Sequence, residues 1–130
     1  MRNLILILCL IPSLAWAEDP IVPNPNLTPG IFLADATVDK ICEKGYTASV
    51  RHVTEAQRNK VFSDYGIPRS GEYEVDHLIS LELGGSNSNG NLWPQAYRGY
   101  WNARIKDILE NRLHDLVCMG KIPLSEAQYA

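Results

Sequence analysis

Positive charge is scarce in this chain. Twelve Lys and Arg stand against 15 Asp and Glu, a formal net charge of −3. That balance excludes a broad basic face that holds nucleic acid unaided, because such binding is driven by phosphate neutralisation; only a local basic patch remains open. Cysteine is nearly absent too. There are three, none in a CxxC pair, so a structural zinc site of paired thiolates is not expected. Beyond residue 17 no long apolar run exists, and the run from Leu4 to Ile11 is far shorter than the roughly 20 residues a membrane span needs. Internal repeats are missing, and the length suits one small domain with one modest core.

The chain opens with Met1-Arg2-Asn3, the apolar run, Pro12 and a small-residue ending, Ala15-Trp16-Ala17. This order predicts a secretory signal peptide over residues 1–17, cleaved near Ala17-Glu18, with export to the periplasm or beyond and no membrane attachment afterwards. Losing Arg2 makes the charge one unit more negative. Cys9 would leave with the leader. Cys42 and Cys118 remain, an even number in an oxidising compartment, and a bridge between them is predicted, with two buried thiols as the alternative.

Residues 18–35, with Pro20, Pro23, Pro25 and Pro29, read as an extended lead-in with little regular structure, and residues 36–130 as the folded domain. A short helix is predicted from Thr37 to Lys44, stopped by Gly45, and a strand or extended segment from Tyr46 to Val53. Thr54 caps a helix from Glu55 to about Tyr65, ended by Gly66 and Pro68. Tyr73 to Ile79 has strand character. The turn-rich Leu83 to Gly90 follows, then a short strand at Asn91 to Trp93. From Gly99 to Cys118 apolar residues recur at spacings of three and four (Trp101, Ile105, Leu109, Leu113, Leu116), the stripe of an amphipathic helix. Leu124 to Ala130 begins another helix. The fold class expected is a small single α+β domain.

Asp76-His77 is the sharpest chemical feature. Neighbouring strand residues point to opposite faces, so both can serve one site only where the strand ends. A carboxylate suits a hard divalent cation, and a neutral histidine accepts a proton from water near pH 7. The stretch Glu74-Val75-Asp76-His77-Leu78-Ile79, then Leu83-Gly84-Gly85-Ser86-Asn87, then Asn91-Leu92, resembles the HNH nuclease motif over about residues 73–107. More loosely, the whole chain resembles a group of small exported bacterial HNH proteins.

The resemblance implies a ββα-metal core with helices added, and phosphodiester hydrolysis in nucleic acid, DNA ahead of RNA, by a monomer. It implies one divalent ion, Mg²⁺ first, with Mn²⁺, Zn²⁺ or Ni²⁺ as alternatives. By the same resemblance His77 is the general base, Asp76 a metal ligand, and Asn91 the residue that holds the loop and orients the histidine. The third motif position falls on no standard ligand. Asn102 is the nearest candidate; about 100° per residue puts it within roughly 20° of Leu109 and Leu113, on the face turned to the core. A helix cap is its equal alternative. Arg51, Arg98 and Lys106 are the candidate substrate-binding cations; Glu74 and Glu82 stay open as metal assistants, and His114 points away. A rival reading keeps the fold and a nucleic-acid-binding or interaction role but not catalysis.

Overall fold

The structure is a computed structural model that describes residues 21–130; the leader and its cleavage site lie outside the described residues. It is a small α+β domain. The elements run α1 (Val38–Ile41), α2 (Tyr46–Val50), α3 (Glu55–Asp64), β1 (Tyr73–His77), β2 (Leu92–Ala96), α4 (Ala103–Cys118) and α5 (Leu124–Gln128), with short 3₁₀ turns at Leu81–Leu83 and Asn89–Asn91 between the strands. Among the described residues no helix is long and apolar enough to cross a membrane.

Local signals account for most of these elements. Thr54 and Gln57 form a capping box at the start of α3, each side chain bonding the other's backbone N–H. Thr37 caps α1 through its hydroxyl. Tyr46 to Val53 is not a strand: its first five residues form α2, entered from Gly45 at φ +89°. The left-handed glycine turns the chain sharply, and that reversal overrides the extended preference of Val50 and Val53.

β1 and β2 pair antiparallel, with Asp76 opposite Trp93 and His77 opposite Leu92. The second strand runs past Trp93 to Ala96 because Pro94 faces Val75 at a position of the ladder that asks no N–H of it. β1 stops at His77, two residues before the sequence pattern ends, where the chain turns into the 3₁₀ turn. α4 begins at Ala103 rather than Gly99, and Trp101 is 74% exposed outside it.

One core cluster joins Ile41, Leu83, Val117 and Ala127, with Leu113, Ile122 and Leu124 packed against it. The Cys42–Cys118 disulfide pins α1 to the end of α4, with Cα atoms 5.7 Å apart. α5 closes the same corner, and Gln128 Nε2 donates to Leu83 O at 2.8 Å.

The loop between the strands is organised by Asn91, which has no exposed surface. Its Oδ1 accepts from Ile79 N at 2.9 Å and Ile31 N at 3.3 Å, and its Nδ2 donates to Ile79 O and Ser86 O, both at 2.9 Å. Gly85 lies against this amide: a Cβ there would overlap the Ile79 carbonyl. The lead-in follows the outside of the loop, bonding Gly30 N to Gly90 O, Leu33 N to Gly84 O and Ser86 N to Ile31 O.

Asn91→Ala leaves these backbone groups buried without partners and is expected to lower unfolding stability by about 3 kcal/mol or more, read from urea denaturation. Reducing the disulfide, which closes a separation of 76 residues, is expected to cost about 2–5 kcal/mol in the same assay.

Candidate functional site

Ending β1 at His77 brings both members of the Asp76-His77 pair to one pocket of about 160 Å³. Arg51, Glu74, Asp107 and Glu110 share its wall. A larger cleft of about 590 Å³, lined by Trp93, Trp101, Ile105 and Leu109, is apolar and holds no acid or base pair. Proton chemistry therefore belongs to the smaller pocket.

His77 is 4% exposed, and its Nε2 lies 3.1 Å from Asn87 Oδ1. The amide of Asn87 is oriented by two backbone contacts: Nδ2 donates to Val50 O at 2.8 Å, and Oδ1 accepts from His52 N at 3.2 Å. With an acceptor oxygen facing it, Nε2 carries the proton in the neutral ring, and the free lone pair belongs to Nδ1. Burial pushes the imidazole below its ordinary value of 6.5, and the Asn87 bond only partly opposes this. The ring is thus a neutral base at and below neutral pH. Asn91 shapes the loop beneath His77 but makes no hydrogen bond to its ring; Asn87 orients it. Nothing in a polar loop distinguishes Asn87 from Asn89 until the ends of α2 and α3 are folded against it.

Asp76 faces a cation already in place. Lys106 Nζ donates to Asp76 Oδ2 at 2.7 Å and to His77 O at 2.7 Å, and it pairs with Glu110 one turn along α4. Side-chain exposure is 17%, 17% and 16% for Lys106, Asp76 and Glu110. Burial works against the charge on Lys106, but the two carboxylates outweigh it and hold the ammonium above its ordinary value. Glu110 is pushed up to about 7, chiefly by burial, with Lys106 pulling the other way. Burial also raises Glu74, opposed by the Tyr97 hydroxyl.

Of the candidate residues, Arg51, Asp76, His77 and Lys106 come together. Arg98 is exposed in the turn after β2 and does not line the pocket. Asn102 is the helix cap: its Oδ1 accepts from Ile105 N at 3.2 Å and its Nδ2 donates to Gly99 O at 2.7 Å. It borders the apolar cleft rather than the Asp76 pocket, and its amide is committed to the first turn of α4. Glu82 does not line the pocket either. The sequence pattern does not single out Glu110, although its spacing of four from Lys106 puts the two on one helix face.

The Asp76 pocket does not form a ready metal site. Asp76 and Glu110 converge on the Lys106 ammonium rather than on an open point, and Lys106 holds one of the two Asp76 oxygens. Among the described residues, the group that could hold a metal ion is Cys42, His114 and Cys118, whose ligand atoms lie within 4.8 Å of one another. No CxxC spacing announces it, and His114 is part-buried with Nε2 3.0 Å from Ile41 O rather than turned to solvent. The disulfide occupies both sulfurs, and a metal takes thiolates. A scan against protein-family models, a search of curated proteins and a search of solved structures each found no match.

A ¹⁵N-detected NMR titration is expected to show His77 neutral with its proton on Nε2, protonating with a midpoint below 6.5. Asn87→Ala should abolish that tautomer preference. A midpoint above 6.5 would contradict the burial argument.

Proposed function

We propose that this protein is an exported hydrolase of phosphodiester bonds in nucleic acid, a nuclease of the HNH type, with His77 as its general base. The observation that carries the reading is a buried imidazole held below its ordinary value, its Nε2 facing Asn87 Oδ1, with Lys106 on the His77 carbonyl and Arg51 in the same pocket wall. Nδ1 takes a proton from water, and the water attacks phosphorus. Arg51 and Lys106 provide positive charge where the phosphoryl oxygens become more negative, in a partly desolvated pocket where such charge acts strongly. As the new P–O bond forms the P–O3′ bond breaks, the 3′ oxygen leaves with a proton taken from solvent, and the imidazolium returns its proton to water.

The divalent ion implied by the motif resemblance, Mg²⁺ ahead of Mn²⁺, Zn²⁺ or Ni²⁺, would compete with Lys106 for Asp76, and the proposed reaction uses the chain's own groups. DNA is the favoured substrate and the monomer the acting form. Overall negative charge implies weak binding away from the site, and with only two cationic side chains to meet phosphates, a shallow dependence of binding on salt. The disulfide is compatible with an oxidising compartment and so supports export.

Oxidised protein incubated with supercoiled plasmid, with Mg²⁺ or Mn²⁺ and separately with chelator, is expected to nick it under at least one condition. His77→Ala should slow nicking by about a hundredfold or more. Folded protein that binds DNA and never cuts it would replace the enzyme with the binding module.

A further inference from the structure

We infer that Lys106 is the resident cation of the Asp76 pocket, supplying there the positive charge that a divalent metal ion would otherwise bring. Its role toward a phosphate rests on the hydrolase reading; its occupation of the pocket does not.

An ammonium has three hydrogens, and Lys106 Nζ has three oxygen partners: Asp76 Oδ2 at 2.7 Å, His77 O at 2.7 Å and the Glu110 carboxylate. None of its donors is left over. The three charged side chains are each at most 17% exposed, so water competes poorly for any of them. Removing one partner from such a buried set leaves an uncompensated charge, which is the costly case.

The side chain is also held along its length. Lys106 lines the apolar cleft, together with Leu78 and Ile105, while its ammonium reaches the acids.

A metal ion on the same Asp76 oxygen would meet this ammonium. Mg²⁺ sits at about 2.0–2.1 Å from a carboxylate oxygen, which puts it within about 5 Å of Nζ whatever its direction of approach. Two positive charges that close repel strongly in a desolvated site. Arg51, which reaches the pocket from the segment after α2, shares its wall with the neighbouring acids, Glu74 from β1 and Asp107 from α4. Positive charge thus comes from two side chains on separate elements. A phosphoryl oxygen entering the pocket would exchange with a carboxylate at Nζ instead of coordinating an ion.

Mn²⁺ binding, followed by electron paramagnetic resonance on the folded, oxidised protein, tests the occupation directly. Wild type should show no stoichiometric binding that Asp76→Asn removes. Lys106→Gln, which leaves Asp76 and Glu110 without their cation, should bind Mn²⁺ at least about tenfold more tightly. In the plasmid assay, wild-type nicking should persist in chelator, and Lys106→Gln should lose about a hundredfold there and regain part of it with Mn²⁺. One Mn²⁺ bound by wild type and lost in Asp76→Asn overturns the inference, as does nicking that stops in chelator or a Lys106→Gln variant with unchanged Mn²⁺ affinity. Wild-type binding and chelator resistance need no variant, so the inference can fail even where Lys106→Gln folds poorly. If plasmid is never cut, the hydrolase reading fails, while Mn²⁺ binding alone still decides whether Lys106 holds the pocket.

Discussion

The fully buried amide of Asn91 is the contact on which the site depends. It ties both backbone groups of Ile79 and the carbonyl of Ser86 to the start of β2. A buried amide with all its groups satisfied specifies one loop path, because any other path leaves strong donors and acceptors without water. That path ends β1 at His77, leaves room at Gly85 only for a hydrogen, and delivers Asn87 to the imidazole ring. The two asparagines divide one task. Asn91 sets the backbone, and Asn87, braced by Val50 and His52, sets the tautomer.

Around that frame the electrostatics are local. A chain with net negative charge places four acids, Glu74, Asp76, Asp107 and Glu110, at its candidate site. Lys106 is the counterweight. It lies on α4, whose start is set by the Asn102 cap, so the cap acts on the pocket indirectly by fixing where the second turn of the helix falls. Asn102 thereby has a part in the site's geometry without being a member of it.

Elements with strong local signals were legible from sequence. The capping box at Thr54, the β-rich run at Tyr73, and the long apolar period ending at Cys118 each point to the observed structure, and the even cysteine count points to the observed bridge. Two kinds of information were not. Tyr46 to Val50 becomes helical through the backbone geometry at Gly45, which residue preferences do not carry. Ile105 and Leu109 keep helical spacing yet remain substantially exposed, since periodicity shows that residues share a face and not whether another element covers it, and Trp101 continues the spacing although it precedes the helix. The same gap explains the site. Asp76 and His77 stand out as types in sequence, whereas the partners that define their states, Asn87 and Lys106, are 10 and 30 residues away from their respective contacts.

An acidic protein with an acid-rich pocket is at first sight a poor receptacle for a phosphate. The difficulty eases once charge is counted where a ligand would meet it. Glu110, with its carboxyl near 7, carries only part of a negative charge at neutral pH, and the Lys106 ammonium beside it stays protonated. A phosphoryl group competing for that ammonium faces a carboxylate already weakened by burial. The pocket therefore becomes more receptive to an anion as pH falls through 7, while His77, held below its ordinary value, stays an unprotonated base over the first part of the same descent. In the proposed hydrolase the two shifts, both caused chiefly by burial, would open a window slightly on the acid side of neutrality in which the binding charge and the base coexist.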